Sequence, residues 1–184
     1  MTDRTAIARF SSEDVEAHLA GLTEILHASV MAGASINFIL PYAPSDAARF
    51  WIDKVRPALD GGKLVMLVSW VEGRIAGTVQ LDCDMPPNQP HRAEIRKLMV
   101  HPAFRNRGIA RALMMEIERV AADQGRSLIT LDTRTGDKAE PLYASLGYVT
   151  FGIVPGYARD VSEDRFDDCS FMYKRLGPQP GASV

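Results

Sequence analysis

The segment RNRGIA at residues 105–110 joins two arginines and a glycine to the start of an amphipathic helix. It follows an apolar strand, and after Gly108 the apolar positions recur at helical spacing. Backbone amides at a helix start attract phosphate groups, arginines add charge-assisted hydrogen bonds, and Gly108 has no Cβ to keep phosphate oxygens away. The segment therefore predicts a pyrophosphate-binding turn. It lacks the three-glycine spacing of dinucleotide folds and the Gly-Lys-Ser/Thr end of a P-loop.

Length and composition are those of an ordinary globular protein. The 184 residues fit one domain, and 46% are hydrophobic and 24% charged. A net charge of −2 argues against general nucleic-acid binding. Basic side chains nevertheless concentrate between residues 92 and 111, where they could form a binding site for a polyanion or simply a solvated surface. Two cysteines and four histidines show neither a disulfide framework nor metal-ligand spacing. With no secretory or membrane-spanning run, we expect a cytoplasmic protein without a metal.

Periodicity predicts an α+β fold. Glu72-Gly73 turns one apolar run into the next, and Gly125 and Gly147 end two amphipathic helices. The predicted strands are 5–10, 63–71, 74–83, 93–100, 128–131, 148–154 and 166–175. The predicted helices run from Ser11 or Ser12 to residue 30, over 44–59, from 108 to 125 and over 138–146. We expect residues 1–177 to form one domain and 178–184 a flexible tail.

This order of elements, together with two motifs, resembles the GNAT family of N-acetyltransferases, which bind acetyl-CoA. The family's Gln/Arg-x-x-Gly-x-Gly/Ala motif falls on Arg105, Gly108 and Ala110. Its second motif falls on residues 136–148, although Gly136 stands where the family often has asparagine. The resemblance implies a mostly antiparallel central sheet, splayed between its fourth and fifth strands and flanked by helices. Segments 32–35, 92–94, 97–100, 131–133 and 155–157 look in addition like the tabtoxin-resistance type of these enzymes.

The resemblance also implies roles for three side chains. Glu94 is the first choice for the base that takes the proton of an attacking amine, with a surface ion pair to Arg92 or Arg96 as the alternative. Asp132 would share that role, or else cap the loop that follows it. Tyr143 would protonate the leaving thiolate, or else be a packed aromatic side chain.

The same resemblance assigns the cofactor contacts. The backbone at Leu98, Met99 and Val100 would pair with the pantetheine arm as an added strand does. The pyrophosphate would be held by the turn and the helix start, namely Arg105, Asn106, Arg107, Gly108, Ile109, Ala110 and Arg111.

The acceptor is expected to be a small primary amine, such as a toxin, an antibiotic or a metabolite. Aromatic and acidic side chains would surround it, and the candidates are Phe38, Tyr42, Asp82 and Tyr157. Two other functions stay open, namely acetylation of a protein or peptide and non-catalytic binding of acyl-CoA. No nucleic-acid or membrane partner is expected, and exposed edge strands favour a homodimer.

Overall fold

Seven strands form one mixed sheet in the computed structural model, which describes residues 6–177. The strands are β1 (Ala6–Phe10), β2 (Leu64–Val71), β3 (Arg74–Asp82), β4 (Arg92–Val100), β5 (Leu128–Arg134), β6 (Val149–Arg159) and β7 (Phe166–Arg175). Their order is β1-β2-β3-β4-β5-β7-β6, and all neighbours are antiparallel except β4 and β5. The predicted fold class is therefore confirmed. Thr5 and the predicted tail lie outside the described residues.

Helices cover much of the sheet. They are α1 (Ser12–Ala17), α2 (Leu19–Met31), α3 (Pro44–Phe50), α4 (Arg56–Asp60), α5 (Ile109–Asp123) and α6 (Glu140–Ser145). A π-helical turn (Trp51–Val55) joins α3 to α4, and a 3-10 turn (Pro102–Phe104) precedes α5. Within residues 6–177, no helix has both the length and the apolar character needed to span a bilayer.

The apolar stripe of α5 forms the core on one face of the sheet. Ile109, Leu113 and Ile117 are almost fully buried, in one cluster with Val79 and Leu81 of β3. Each buried side chain of this size contributes roughly 1.5–3 kcal/mol relative to an exposed one. This packing fixes the start of α5 next to the end of β4.

A second core holds the N-terminal helices on the opposite face. Leu22, Ile25 and Leu26 of α2 are fully buried and cluster with Met66 of β2. The indole Nε1 of the buried Trp51 donates to the carbonyl of Leu22 at 2.8 Å. The helical segment after Pro44 is thereby tied to α2 above β1–β3.

The helix predicted from Ser11 or Ser12 to residue 30 is broken at His18. Ser11 begins it with a capping box, in which its hydroxyl accepts from the Asp14 amide and the Asp14 carboxylate accepts from the Ser11 amide. His18 then leaves helical geometry, with φ −114° and ψ 19°, and its ring lies 5.0 Å from that of Trp70. The apolar spacing continues across the break, so the sequence pattern gave no sign of it.

Predicted bounds also differ from the structure at β5, β6 and α6, and the helix predicted over 44–59 is divided by the π-helical turn Trp51–Val55. β5 continues from residue 131 to Arg134 because β7 pairs with it along that length. β6 likewise runs to Arg159 rather than to 154. The helix predicted over 138–146 spans only Glu140–Ser145, since Pro141 is tolerated only in a first helical turn.

The sheet splays where β4 and β5 diverge. These parallel strands pair only from Arg92 to Glu94, and Glu94 lies opposite Thr130. Beyond Glu94 the edge of β4 that faces β5 is unpaired with that strand, as the resemblance implied. A bulge follows at Lys97, whose φ of 51° is left-handed, and β3 pairs with β4 on both sides of it with the register shifted by one residue.

Gly77 on β3 lets α5 approach the sheet, and we expect alanine there to destabilise the fold. A Cβ would lie 2.8 Å from the Ser69 hydroxyl and 2.9 Å from both Ile109 and Leu113. Overpacking of this kind costs about 1–3 kcal/mol. Urea unfolding should show this loss for Gly77→Ala. Gly152→Ala is the matched control, because its Cβ would have no neighbour within 4 Å. Equal stabilities of the two variants would contradict this packing.

Candidate active site

A cleft of about 1110 Å³ opens where the sheet splays, between the ends of β4 and β5. It extends from the start of α5, past the β4 bulge, to the loop after α2. Most of the site residues predicted from the sequence line it. They are Asp82, Glu94, Leu98, Met99, Val100, Arg105, Asn106, Gly108, Ile109, Ala110, Arg111, Asp132, Tyr143 and Tyr157.

The turn before α5 has the geometry of an anion cradle. Asn106 and Gly108 have left-handed φ values of 62° and 76°, and a Cβ on Gly108 would meet no atom within 4 Å. The first helical hydrogen bond is donated by the Ala112 amide to the Gly108 carbonyl at 3.0 Å, so the amides just before it remain to receive a ligand. The positive end of the α5 dipole reinforces this preference for anions.

Two arginines flank this cradle. The Arg105 Nε lies 3.4 Å from the Val100 carbonyl, which keeps that side chain beside the end of β4. The Arg111 guanidinium donates to the Ser145 hydroxyl at 2.6 Å, linking α5 to α6. The open turn and its two cations fit the diphosphate of a coenzyme A thioester.

The free edge of β4 supplies the next part of the cleft. Leu98 and Val100 border it after the bulge, and their strand has lost its β5 neighbour at this point. The bulge is held from the other side, where the Thr78 hydroxyl donates to the Lys97 carbonyl at 3.2 Å. An extended amide-containing arm can therefore hydrogen-bond here as an added strand.

Glu94 lies in the cleft but is shared between arginines. The Arg96 Nε donates to its carboxylate at 2.9 Å, and an Arg92 nitrogen lies 3.8 Å away. Arg96 also contacts Asp82 at 2.8 Å. The ion-pair alternative considered for Glu94 is thus present, and its oxygens are less available to accept a proton from an amine.

Asp132 lies on the same face and is more open. It is exposed to the cleft, two residues along β5 from Thr130, the partner of Glu94. The Cys169 thiol lies 3.6 Å from its carboxylate. Burial, with this carboxylate adding to it, raises the pKa of Cys169 to about 11, so the thiol stays protonated and can donate to Asp132.

Tyr143 projects from α6 into the inner wall of the cleft. Its side chain is 7% exposed, and its ring makes an edge contact with Tyr148 at 6.0 Å between centroids. Burial, followed by the charges of Asp137 and Asp132, raises the pKa of Tyr143. The phenol therefore keeps its proton and is a donor throughout the neutral pH range. It is both a packed aromatic residue and a cleft residue.

Three predicted site residues do not line the cleft with their side chains. The Phe38 ring packs on that of Tyr42 at 4.9 Å and on that of Phe50 at 5.2 Å between centroids, so Phe38 and Tyr42 lie behind Phe50, which lines the cleft. The Arg107 guanidinium lies over the Phe104 ring at 5.4 Å. Only the backbone of Arg107 remains within the turn.

Lys97 is a cleft residue that the sequence analysis gave no role. It belongs to the β4 bulge, and its ammonium donates to the Ile36 carbonyl at 2.8 Å. The same nitrogen lies 5.1 Å from the Phe38 ring centre and 5.7 Å from that of Phe50. These contacts join β4 to the segment after α2, which forms one wall of the cleft. Its place at the left-handed bulge could not be read from the sequence.

Lys97 should give the fold a distinctive pH dependence. Burial, with the neighbouring Arg96 acting in the same direction, lowers the pKa of Lys97 to about 8. Between that value and the ordinary lysine pKa of about 10.4, the unfolded chain holds a proton that the folded chain has lost. The free energy of unfolding should therefore rise with pH, relative to Lys97→Met, by up to about 1 kcal/mol per pH unit.

Urea unfolding of both proteins between about pH 7 and pH 10 measures this difference. Below about pH 8 the lysine is charged in both states, and the two curves should run parallel. Parallel curves across the whole range would show that Lys97 is not held as the structure has it.

The splayed sheet and the turn before α5 define the class of protein. The Acetyltransferase (GNAT) family model matches residues 34–148, more than half of the chain. This protein belongs to that family, so the predicted enzyme class is confirmed.

Curated relatives agree with this assignment. An uncharacterized N-acetyltransferase of Methanocaldococcus jannaschii is 35% identical over 94 residues, which cover 50% of this chain and 42% of the relative. An uncharacterized N-acetyltransferase of Azospirillum brasilense, from the hisH-hisA intergenic region, is 29% identical over 115 residues. That match covers 61% of this chain and 66% of the relative. The chain thus spans about two fifths of the first relative's length and about two thirds of the second's.

A solved structure shares the whole fold. It is a candidate acetyltransferase from Salmonella typhimurium with its cofactor acetyl-CoA, and it superposes with a TM-score of 0.77. The match covers 98% of this chain and 99% of that one, at 20% identity. The predicted cofactor, acetyl-CoA, agrees with the family and with this neighbour.

Proposed function

We propose that this protein transfers the acetyl group of acetyl-CoA directly to a primary amine of a small molecule, within one ternary complex. The observation that carries the proposal is the convergence of three features on one cleft: the turn before α5, the free edge of β4, and the pair Asp132 and Tyr143. These features supply binding, alignment and proton transfer respectively.

The binding role falls to backbone more than to side chains. The amides from Gly108 to Arg111 would take the diphosphate, with Arg105 and Arg111 adding charge. The β4 edge at Leu98 and Val100 would hold the pantetheine arm, and one of its amides would polarise the carbonyl of the acyl group. When bound, acetyl-CoA supplies the acetyl thioester that the amine attacks.

Proton transfer is the other requirement of the reaction. An alkyl amine with a pKa of about 10.4 must lose a proton before it attacks, which costs roughly 4.6 kcal/mol at neutral pH. We assign this proton to Asp132, because its carboxylate is open whereas that of Glu94 is held by Arg92 and Arg96. Tyr143, buried and protonated, returns a proton to the departing sulfur.

The acceptor end of the cleft favours a cationic or amine-bearing molecule. Asp132 contributes an open carboxylate to its surface, whereas Asp82 and Glu94 are paired with Arg96. Tyr157 contributes an aromatic ring that is half exposed. Together with the resemblance to the tabtoxin-resistance type, this supports a toxin, an antibiotic or a metabolite amine as the acceptor. A cytoplasmic location remains a prediction of the sequence.

A panel of amines tests the proposal. The protein is incubated with acetyl-CoA and either small amines or lysine-containing and N-terminal peptides, and release of free coenzyme A is followed. We expect turnover with at least one small amine. Turnover with peptides alone would replace the proposal by protein acetylation, and binding of acetyl-CoA without any turnover would replace it by a non-catalytic acyl-CoA module.

A further inference from the structure

Arg134, the last residue of β5, borders the cleft but has no role in the proposed reaction. It lies two residues along the strand from Asp132, so the two side chains project from the same face of the sheet. Both residues line the cleft. The Arg134 side chain is only 27% exposed, and each of its two terminal nitrogens contacts a carboxylate. Its contacts therefore determine what is held next to Asp132.

Three carboxylates from three segments surround this guanidinium. Asp160, after β6, lies 3.2 Å from it, Asp167 of β7 lies 3.5 Å from it, and Asp137, before α6, lies 3.1 Å from it. Arg165 pairs with Asp160 and Asp167 from the solvent side, at 53% exposure. Arg134 is their inner partner, and its planar fork of N–H groups can hold several carboxylates in fixed directions. We call Arg134 and its three carboxylate partners the Arg134 clamp.

Asp160 connects this clamp to the loop between β6 and β7. Its carboxylate accepts from the amides of Ser162 and Glu163, each at 2.9 Å. These hydrogen bonds lower the pKa of Asp160, so the carboxylate is charged at neutral pH. One carboxylate thus joins two backbone amides of the loop to the Arg134 guanidinium. The loop, residues 160–165, is thereby tied to the end of β5.

The same loop holds a wall of the cleft. The Val161 carbonyl accepts from the Leu40 amide at 2.8 Å, and the Val161 side chain is 3% exposed within the core that contains α2. Leu40 belongs to the segment after α2, in which Ile36 and Asn37 line the cleft. We call residues 36–40 the acceptor wall. A displacement of the loop would therefore move the acceptor wall relative to β5.

We propose that Arg134 is a positioning residue, which fixes the acceptor wall relative to Asp132 by tying the loop of residues 160–165 to β5. Its contact with Asp137 extends the clamp to the chain before α6, because the other oxygen of Asp137 accepts from the Ala139 amide at 3.0 Å. A shift of about 1 Å in a bound substrate can cost roughly a hundredfold in rate. The catalytic consequence rests on the proposed acetyl transfer, whereas the clamp itself does not.

Amide hydrogen exchange, followed residue by residue by NMR, tests the clamp without any activity measurement. In Arg134→Met, which removes the charge and keeps a long side chain, the Leu40 and Glu163 amides should exchange about tenfold faster or more. Their rates are compared with that of the Ala112 amide in the first turn of α5, away from the clamp. Unchanged relative exchange of Leu40 and Glu163 would overturn the proposal.

Steady-state kinetics with the best acceptor of the amine panel test the positioning role. For Arg134→Met we expect the KM for the acceptor to rise about tenfold or more, while the affinity for acetyl-CoA stays within about twofold. A merely structural role would lower the folded fraction, and hence the apparent kcat, with KM unchanged. An unchanged acceptor KM would overturn the positioning role even if the amide exchange changes.

Arg159→Met is the matched control. Arg159 is 52% exposed at the end of β6, and its partner Asp164 is 95% exposed, so their ion pair contributes little. This variant should match the unaltered protein in both measurements. An equal rise of exchange and KM in Arg159→Met and Arg134→Met would also overturn the proposal, because loss of any arginine near the loop would then suffice.

Circular dichroism melts show whether Arg134→Met folds. If it does not, Arg134→Lys decides, because lysine keeps the charge but cannot hold three carboxylates with one ammonium. The same changes are then expected, about threefold or more, and their absence would overturn the proposal. If the unaltered protein turns over no amine, the proposed acetyl transfer fails and the positioning role with it, whereas the exchange measurement still decides the clamp.

Discussion

Asp132→Asn is expected to lower turnover at neutral pH about a hundredfold while leaving the affinity for acetyl-CoA unchanged. The amide keeps the size of the side chain but cannot accept the proton of the amine, and loss of a positioned base typically costs a hundredfold or more. Because Asp132 is exposed on β5, the substitution should not disturb folding. Steady-state rates of coenzyme A release, with the best acceptor from the amine panel, give the ratio.

The pH profile distinguishes a base from a positioning group. The defect of Asp132→Asn should shrink as the pH approaches the pKa of the acceptor amine, since the amine then needs no base. Glu94→Gln is the matched carboxylate control, and we expect less than a tenfold loss because Arg92 and Arg96 already occupy that carboxylate. A larger loss of turnover for Glu94→Gln than for Asp132→Asn would assign the role of the base to Glu94 instead.

Tyr143→Phe is expected to lower turnover at least tenfold, which corresponds to about 1.4 kcal/mol of transition-state stabilisation. Only the hydroxyl is removed, so the ring still packs against Tyr148 and the fold should be retained. The raised pKa of Tyr143 keeps that hydroxyl protonated, which suits a donor to the departing sulfur. The affinity for acetyl-CoA should stay constant while kcat falls.

Tyr148→Phe is the control for this variant. Tyr148 is also buried, at 3% exposure, but its side chain does not line the cleft. We expect it to affect stability and not turnover. Equal rates for Tyr143→Phe and the unaltered protein would remove Tyr143 from the mechanism and leave it a packing residue.

The sequence could predict the turn before α5 because its requirements are local. A left-handed glycine, flanking arginines and an amphipathic helix start all lie within a few consecutive residues, and the structure has φ 76° at Gly108. The succession of strands along the chain was predictable for a similar reason, since turn residues separate several of them. The ends of strands were predicted less accurately where pairing with a neighbouring strand sets them, as at Arg134 of β5.

The contacts inside the cleft depend on register and on packing between distant segments. Arg96 reaches both Glu94 and Asp82 because β3 and β4 bring Asp82 opposite Glu94, which no local pattern specifies. The Phe38 ring packs against Phe50 and Lys97 from other elements, and Tyr42 packs against Phe38. An aromatic residue in a loop can face a ligand or a core, and only the packed structure separates the two.

Calorimetric titration of the purified protein with acetyl-CoA, and separately with coenzyme A, measures the central claim most directly. The account predicts saturable binding of one equivalent per chain for both compounds, since the diphosphate that both carry provides the main contact at the start of α5. The absence of binding heat for both, over a range of temperatures, would mean that this cleft does not hold the coenzyme.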